Sequence, residues 1–158
     1  MAGIEELYRE VILDHYRSPR NRGELEIPPA HKVLGFNPLC GDEIVLYLEV
    51  SDGIVSAVAI NGQGCSISQS SASLMSDAVK GRPVSEVRRL AGSFTTMLMA
   101  RDEADVAEEA DPLDPEALGE LAAMQGVMKY PARIKCATLS WKTLTKGLDE
   151  IEAGAASA

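Results

Sequence analysis

The chain has 158 residues with a formal net charge of −9, and hydrophobic residues make up 46% of it. This length predicts one domain, for which we assign residues 1–152, followed by a flexible tail at 153–158. The acidic balance argues against a nucleic-acid binder, because phosphates need a basic surface. The sequence also contains no apolar stretch of ~20 residues and no apolar leader near its start, so we expect a cytoplasmic protein away from membranes.

The first predicted elements are a helix and a short strand. Apolar residues recur at helical spacing over Ile4–Tyr16, and Ser18-Pro19 ends that pattern. His15 lies near the end of this helix, where we expect a capping or surface role. A short strand is predicted at Lys32–Phe36 after a loop.

A β-hairpin is the clearest local pattern. Residues alternate between apolar and polar over Glu43–Val50 and over Ile54–Ile60. The first strand places Ile44, Leu46, Leu48 and Val50 on one face, and the second places Ile54, Ser56, Val58 and Ile60 in phase. Asp52-Gly53 separates them and is a favoured pair for a two-residue turn.

Helices dominate the second half of the chain. We predict helices at Ser66–Lys80, at Pro83–Met99, near Pro115–Met124 and from Pro131 onward, the last with an apolar stripe. Residues 101–120 contain nine acids and one base, Arg101, and we expect an exposed loop over residues 101–115. Strands followed by helices predict an α+β fold, with a small antiparallel sheet and helices packed on one face.

Cys40, Cys65 and Cys136 are the only cysteines. An odd number in a reducing compartment argues against a disulfide framework. Cys40 and Cys65 are equidistant from the predicted turn, so they should meet at the open end of the hairpin. Asp42 follows Cys40 by two residues and should point the same way. Spacing does not bring Cys136 to this place, so buried, inert cysteines remain an alternative.

The residue types suit a metal. Three thiolates and one carboxylate match tetrahedral Zn²⁺, and a carboxylate is an exchangeable ligand among soft sulfur ligands. If Cys40 leaves the metal, it becomes a nucleophile that can attack a persulfide. The same ligands could hold iron or a transient iron–sulfur cluster, although a cluster normally takes four cysteines. A structural zinc module without chemistry is a further alternative, and its domain should unfold when zinc is removed.

Five sequence segments resemble a known family. They are Leu7-Tyr8, Asp14-His15-Tyr16, Asn37-Pro38-Leu39-Cys40-Gly41-Asp42, Gly62-Gln63-Gly64-Cys65-Ser66-Ile67-Ser68 and Arg133-Ile134-Lys135-Cys136-Ala137. Together they are similar to the U-type iron–sulfur cluster assembly proteins, the family of IscU and the N-terminal domain of NifU. Lys135 stands where the IscU branch has a histidine, so the chain looks most like the SufU branch. The resemblance also implies that the acidic segment 101–126 is the extra insertion of that branch.

The resemblance implies a function and a site. It implies an α+β fold and a zinc ion held by Cys40, Asp42, Cys65 and Cys136, with Cys40 as the sulfur acceptor. It implies that Arg133 supports the site, and that a pyridoxal-phosphate cysteine desulfurase of the SufS type donates the sulfur. Downstream iron–sulfur scaffold proteins are possible recipients. A zinc-dependent sulfurtransferase is therefore expected, with a cluster scaffold as the alternative.

Overall fold

The computed structural model describes residues 4–99 and 118–156, and these form an antiparallel sheet with helices packed on one face. The strands, in sheet order, are β1 (His31–Asn37), β2 (Asp42–Ser51) and β3 (Ile54–Gln63). The helices are α1 (Ile4–Arg17), α2 (Ser66–Val79), α3 (Val84–Met99) and α4 (Ile134–Ala156), with 3₁₀ helices at Gly119–Lys129 and Pro131–Arg133. The α+β prediction is confirmed. Among the described residues, none of the helices is long and apolar enough to cross a membrane.

The β2–β3 hairpin forms as predicted, with Asp52 and Gly53 in the turn. Ser51 pairs with Ile54, and both turn residues have positive φ angles, 53° and 75°. Two positive angles in a two-residue loop match the twist of the flanking strands, which favours Asp-Gly there. The hairpin therefore fixes the relative position of the two strand ends from which the first two cysteines emerge.

A β-bulge corrects the predicted phase of β3. Val50 pairs with Val55 but Glu49 pairs with Ala57, so Ser56 is an extra residue in β3. Its hydroxyl donates a hydrogen bond to the Glu49 carbonyl at 3.1 Å, which occupies an acceptor inside the irregular pairing. The prediction that Ile54 and Ser56 lie in phase with Val58 and Ile60 was wrong, because the extra residue turns Val55 inward and leaves Ile54 and Ser56 exposed.

The core lies between the sheet and the helices. α4 packs on β1 and β2, and α2 packs on β3. The predicted stripe of α4 is buried, and Trp141 stacks on Phe94 of α3 with ring centroids 4.6 Å apart. This packing fixes the start of α4 against the sheet, because the stripe begins at Ile134 and Cys136 lies within the same first turn. The helix also includes residues 153–156 of the predicted tail, whose flexibility stays a prediction.

His15 corrects the predicted capping or surface role. It is 1% exposed, with Nδ1 2.8 Å from the Ser73 hydroxyl and Nε2 3.1 Å from a Glu120 carboxylate oxygen. It therefore joins α1, α2 and the 3₁₀ helix Gly119–Lys129. Its spacing of four residues from buried Val11 was the available signal, because such residues share a helix face.

The predicted insertion divides into two parts. Residues 101–117 lie outside the described residues. Residues 118–126 contribute buried side chains to the core, among them Leu121 and Met124. The helix predicted near Pro115–Met124 corresponds, where described, to the 3₁₀ helix Gly119–Lys129.

Candidate metal centre

The base of the site is a pair of residues at the β1–β2 connection. Asn37 ends β1 and pairs in register with Asp42, which begins β2. Cys40 lies in the four-residue connection between them and is exposed, whereas Asp42 is completely buried. The site therefore combines an exposed loop cysteine, Cys40, with a buried acid, Asp42, whose position is fixed by strand pairing.

Three predicted ligands lie together. The sulfur atoms of Cys40 and Cys136 and a carboxylate oxygen of Asp42 are within 4.8 Å of one another. The two sulfur atoms are 3.4 Å apart. Ligand atoms around tetrahedral zinc are separated by roughly 3.3–3.8 Å, as Zn–O and Zn–S bond lengths of about 2.0 and 2.3 Å require. The arrangement therefore fits a zinc ion without a large rearrangement.

Cys65 borders this group through its backbone and its thiol. Its N–H donates to Asp42 Oδ1 at 2.9 Å, while its sulfur accepts a hydrogen bond from the Ser68 N–H at 3.4 Å and caps α2. The Cys65 thiol also hydrogen-bonds with Asp42 and Cys136, although its sulfur is not part of the close group of potential ligands within the described residues. The structure thus brings Cys65 to the site as predicted, but with its thiol engaged by the helix end.

The pKa values of the buried Asp42 and Cys136 side chains shift in opposite directions. Burial raises the pKa of Asp42, but hydrogen bonds from the Cys65 N–H, Cys136 and Asn37 outweigh burial and leave that pKa below its usual value. Burial also raises the pKa of Cys136, and its hydrogen bonds to Asp42 and Cys40 raise it further. Without a metal the pair is therefore a carboxylate beside a neutral thiol, and a bound cation would displace the thiol proton.

Arg133 and Tyr8 lie near the cysteine side chains of the site. Arg133 is exposed, and its hydrogen bond to Cys136 together with the electrostatic influence of the Cys65, Cys136 and Cys40 side chains raises the arginine pKa. Burial raises the pKa of Tyr8, and Tyr130 and Cys65 raise it further. The predicted supporting place of Arg133 beside the thiols is thus observed, while its role stays a prediction.

Asn37, Ser68 and Tyr8 belong to this region but received no role from the sequence. Asn37 was part of a recognised segment, and its position opposite Asp42 could be found only by extending the strand pairing. Ser68 follows Cys65 by three residues, the spacing of a helix cap, so that signal was present. Tyr8 was part of a recognised segment, but its approach to the site depends on how α1 packs.

Gly64 is expected to be essential for the shape of the site. A Cβ atom there would lie 2.5 Å from Asp42 Oδ1 and 2.6 Å from the Ser68 hydroxyl. Gly64→Ala should lower the free energy of unfolding of the metal-free protein by about 1–3 kcal/mol, since overpacking forces its neighbours apart. Chemical denaturation measures this change.

Gly92→Ala is the matched control. Gly92 lies within α3 and a Cβ there meets no atom within 4 Å. This substitution should raise the free energy of unfolding by about 0.5–1 kcal/mol, because alanine favours helix more than glycine does. Equal effects of the two substitutions would contradict the close packing at Gly64.

The comparisons with known proteins identify the family. The family model of the NifU-like N-terminal domain matches residues 7–137. This chain belongs to that family. Its residues Cys40, Asp42, Cys65 and Cys136 all lie within the matched range.

Two curated relatives carry different names. The chain is 43% identical over 153 residues to the zinc-dependent sulfurtransferase SufU of Bacillus subtilis, covering 97% of each chain. It is 39% identical over 145 residues to the iron–sulfur cluster assembly scaffold protein IscU of Thermotoga maritima, covering 92% of this chain and 94% of that one. The family is therefore shared by proteins described as sulfurtransferases and as scaffolds.

A solved structure supports the fold. The crystal structure described as a putative iron–sulfur cluster assembly scaffold protein of the SUF system from Fervidobacterium islandicum has a TM-score of 0.77. It is 31% identical to this chain, and the likeness covers 92% of this chain and 99% of that one. The prediction of a SufU- or IscU-like protein of the U type is confirmed.

Proposed function

We propose that this chain is a zinc-binding sulfur-transfer protein of iron–sulfur cluster assembly that accepts persulfide sulfur from a cysteine desulfurase onto Cys40. The observation that carries the proposal is an asymmetry between two neighbouring thiols. Cys40 is exposed on a loop, whereas Cys136, 3.4 Å away, is fully buried at the start of α4. One thiol is thus accessible to a partner protein while the other is placed to hold a metal.

The donor set supports zinc. Cys40, Cys136 and Asp42 would hold the ion, and Cys65 would complete the set once its sulfur leaves the Ser68 N–H. When bound, zinc favours the thiolate over the thiol form of its cysteine ligands. The name of the Bacillus subtilis relative, a zinc-dependent sulfurtransferase, favours the same metal.

The proposed transfer is a thiol–persulfide exchange. The Cys40 thiolate attacks the outer sulfur of a persulfide, Cys–S–SH, on the desulfurase. A new S–S bond forms at Cys40 and the S–S bond on the desulfurase breaks, so the desulfurase cysteine leaves as a thiolate. Cys40 ends as Cys–S–SH, and the exchange needs no further oxidant or reductant. Arg133, beside the thiols, would favour negatively charged sulfur during this step.

The donor partner would be a pyridoxal-phosphate cysteine desulfurase of the SufS type. Exposed apolar residues next to Cys40 offer contact area for a protein, since Leu39 on the same loop is 74% exposed. Further iron–sulfur scaffold proteins would be the recipients. This assignment makes the chain a zinc-dependent sulfurtransferase acting in the cytoplasm.

A cluster scaffold is the second candidate. It is favoured by the name of the Thermotoga maritima relative, an iron–sulfur cluster assembly scaffold protein. The ligand set does not exclude it, because two or three thiolates with a carboxylate can also hold iron. The two functions differ in what stays on the protein: a sulfur atom on Cys40 or a cluster.

One experiment separates these functions. The purified protein, analysed for metal, is incubated with a SufS-type desulfurase and cysteine, and its peptides are mapped by mass spectrometry. We expect about one zinc per chain and a mass gain of sulfur on the peptide containing Cys40. In parallel, Fe²⁺ and sulfide are added without oxygen. A cluster that passes to an apo-acceptor, together with no sulfur on Cys40, would replace the proposal by the scaffold function.

A further inference from the structure

The side chain of Asn37 connects two of the candidate ligands. Its Nδ2 lies 3.1 Å from Asp42 Oδ2 and 3.7 Å from the Cys136 sulfur, and the residue is 6% exposed. A primary amide has two N–H groups on one nitrogen, so it can donate to both partners at once. The two contacts therefore restrain the directions of the Asp42 and Cys136 side chains relative to each other.

We propose that Asn37 is a positioning residue that orients Asp42 and Cys136 toward a shared metal ion and leaves Cys40 as the sulfur that exchanges. This inference rests on the proposed function, because it assumes that the site holds zinc. In this role Asn37 keeps Asp42 and Cys136 on the metal, so Cys40 is the ligand that is released.

Asp42, Cys136 and Cys40 differ in the hydrogen bonds that hold their side chains, and this difference supports the positioning role of Asn37. Both oxygens of Asp42 are held, Oδ1 by the Cys65 N–H and Oδ2 by Asn37. Cys136 is buried and receives the second Asn37 contact. Within residues 4–99 and 118–156, the hydrogen-bond partner of the Cys40 sulfur is the thiol of Cys136. Cys40 is exposed and receives no contact from Asn37, so its position is the least restrained.

Asparagine suits this position better than the other polar residues. Aspartate would place a second carboxylate against Asp42, and like charges at this distance repel. A lysine would neutralise the ligand charge that attracts the cation. The amide donates without adding charge, and its place opposite Asp42 in the strand pairing fixes its direction. Hydrogen-bond partners of metal ligands typically contribute 10–100-fold to metal affinity.

The test compares Asn37→Ala and Asn37→Asp with the wild-type protein. Zinc affinity is measured by competition with a coloured chelator, and the cobalt(II)-substituted protein is examined by absorption spectroscopy. We expect zinc affinity to fall by about 10–100-fold in Asn37→Ala, which removes the amide donor without adding charge. We also expect altered cobalt ligand-field bands, a change that loss of stability alone does not produce. Asn61→Ala is the matched control, since Asn61 lies on β3 and its side chain accepts a hydrogen bond from the neighbouring Gly62 N–H.

A second measurement begins with the wild-type protein, so its first result does not depend on any variant folding. The zinc-loaded wild-type protein is treated briefly with iodoacetamide, and the labelled cysteines are mapped by mass spectrometry. Cys40 should react first, and in the Asn37 variants Cys136 should approach its rate. Equal labelling of Cys40 and Cys136 in the wild type would overturn the inference, as would wild-type zinc affinity in both Asn37 variants. A wild type that binds zinc but takes no sulfur on Cys40 would instead contradict the proposed function alone.

Discussion

Cys40→Ala is expected to abolish sulfur loading completely while leaving the fold intact. The residue supplies the proposed nucleophile, so its removal leaves no atom to form the new S–S bond. Its side chain is exposed and contributes nothing to the core, so the free energy of unfolding of the metal-free protein should change by no more than about 0.5 kcal/mol. The measurement is the sulfur mass gained after incubation with desulfurase and cysteine, with circular dichroism to monitor the fold.

Cys40→Ser is the matched variant for this prediction. It keeps the size and polarity of the side chain but replaces the sulfur by a hydroxyl that is a poor nucleophile and a poor zinc ligand. We expect it to behave like Cys40→Ala, with weaker but measurable zinc binding through the remaining ligands. Sulfur mass on either variant would contradict the assignment of Cys40 as acceptor.

Cys136→Ser should instead remove zinc. The binding free energy of a structural zinc ion with four ligands is about 10–16 kcal/mol. One buried thiolate therefore contributes on the order of 3 kcal/mol, and its loss should weaken zinc binding by about 100-fold or more. The hydroxyl can replace the thiol in the contacts with Asn37 and Asp42, so the metal-free fold should persist. Metal analysis after dialysis against a chelator measures the effect.

Ser140→Ala is the control on the same helix. Ser140 lies four residues after Cys136, and its buried hydroxyl has no hydrogen-bond partner within the described residues. Its removal should leave zinc binding unchanged and leave stability equal or slightly higher, because an unsatisfied buried hydroxyl is costly. Wild-type zinc retention by Cys136→Ser would show that Cys136 is an inert core cysteine, the alternative that the sequence left open.

The local parts of the fold could be predicted because short-range patterns determine them. The alternation on either side of Asp52-Gly53 identified the hairpin, and apolar spacing identified the stripe of α4 from Ile134 to Leu148. Each depends on neighbours within a few residues, so no knowledge of the remaining chain was needed. The bulge at Ser56 escaped this reasoning, because one extra residue leaves the apolar content of the strand almost unchanged while shifting its phase.

The bulge also changes how the cysteines meet. Beyond it the strand pairs are offset by one position, so Asp42 rather than Cys40 approaches the segment that holds Cys65. Equal distance from the turn therefore correctly predicted that Cys40 and Cys65 lie at the same end of the hairpin, but the residue that contacts Cys65 there is Asp42. The correct contact, Cys65 N–H to Asp42, makes the carboxylate part of the end of α2.

The sequence by itself determined the α+β class, the hairpin, the helix faces and the family-like segments around the three cysteines. Only the tertiary structure decided that Cys136 reaches Cys40 across 96 residues of chain, that His15 is buried, and that Asn37 joins two candidate ligands. The physical reason is that these contacts depend on how α4 packs against the sheet and α2, and on how α1 packs against α2. Side-chain periodicity fixes which face of a helix is buried, but not which residue of another element that face meets.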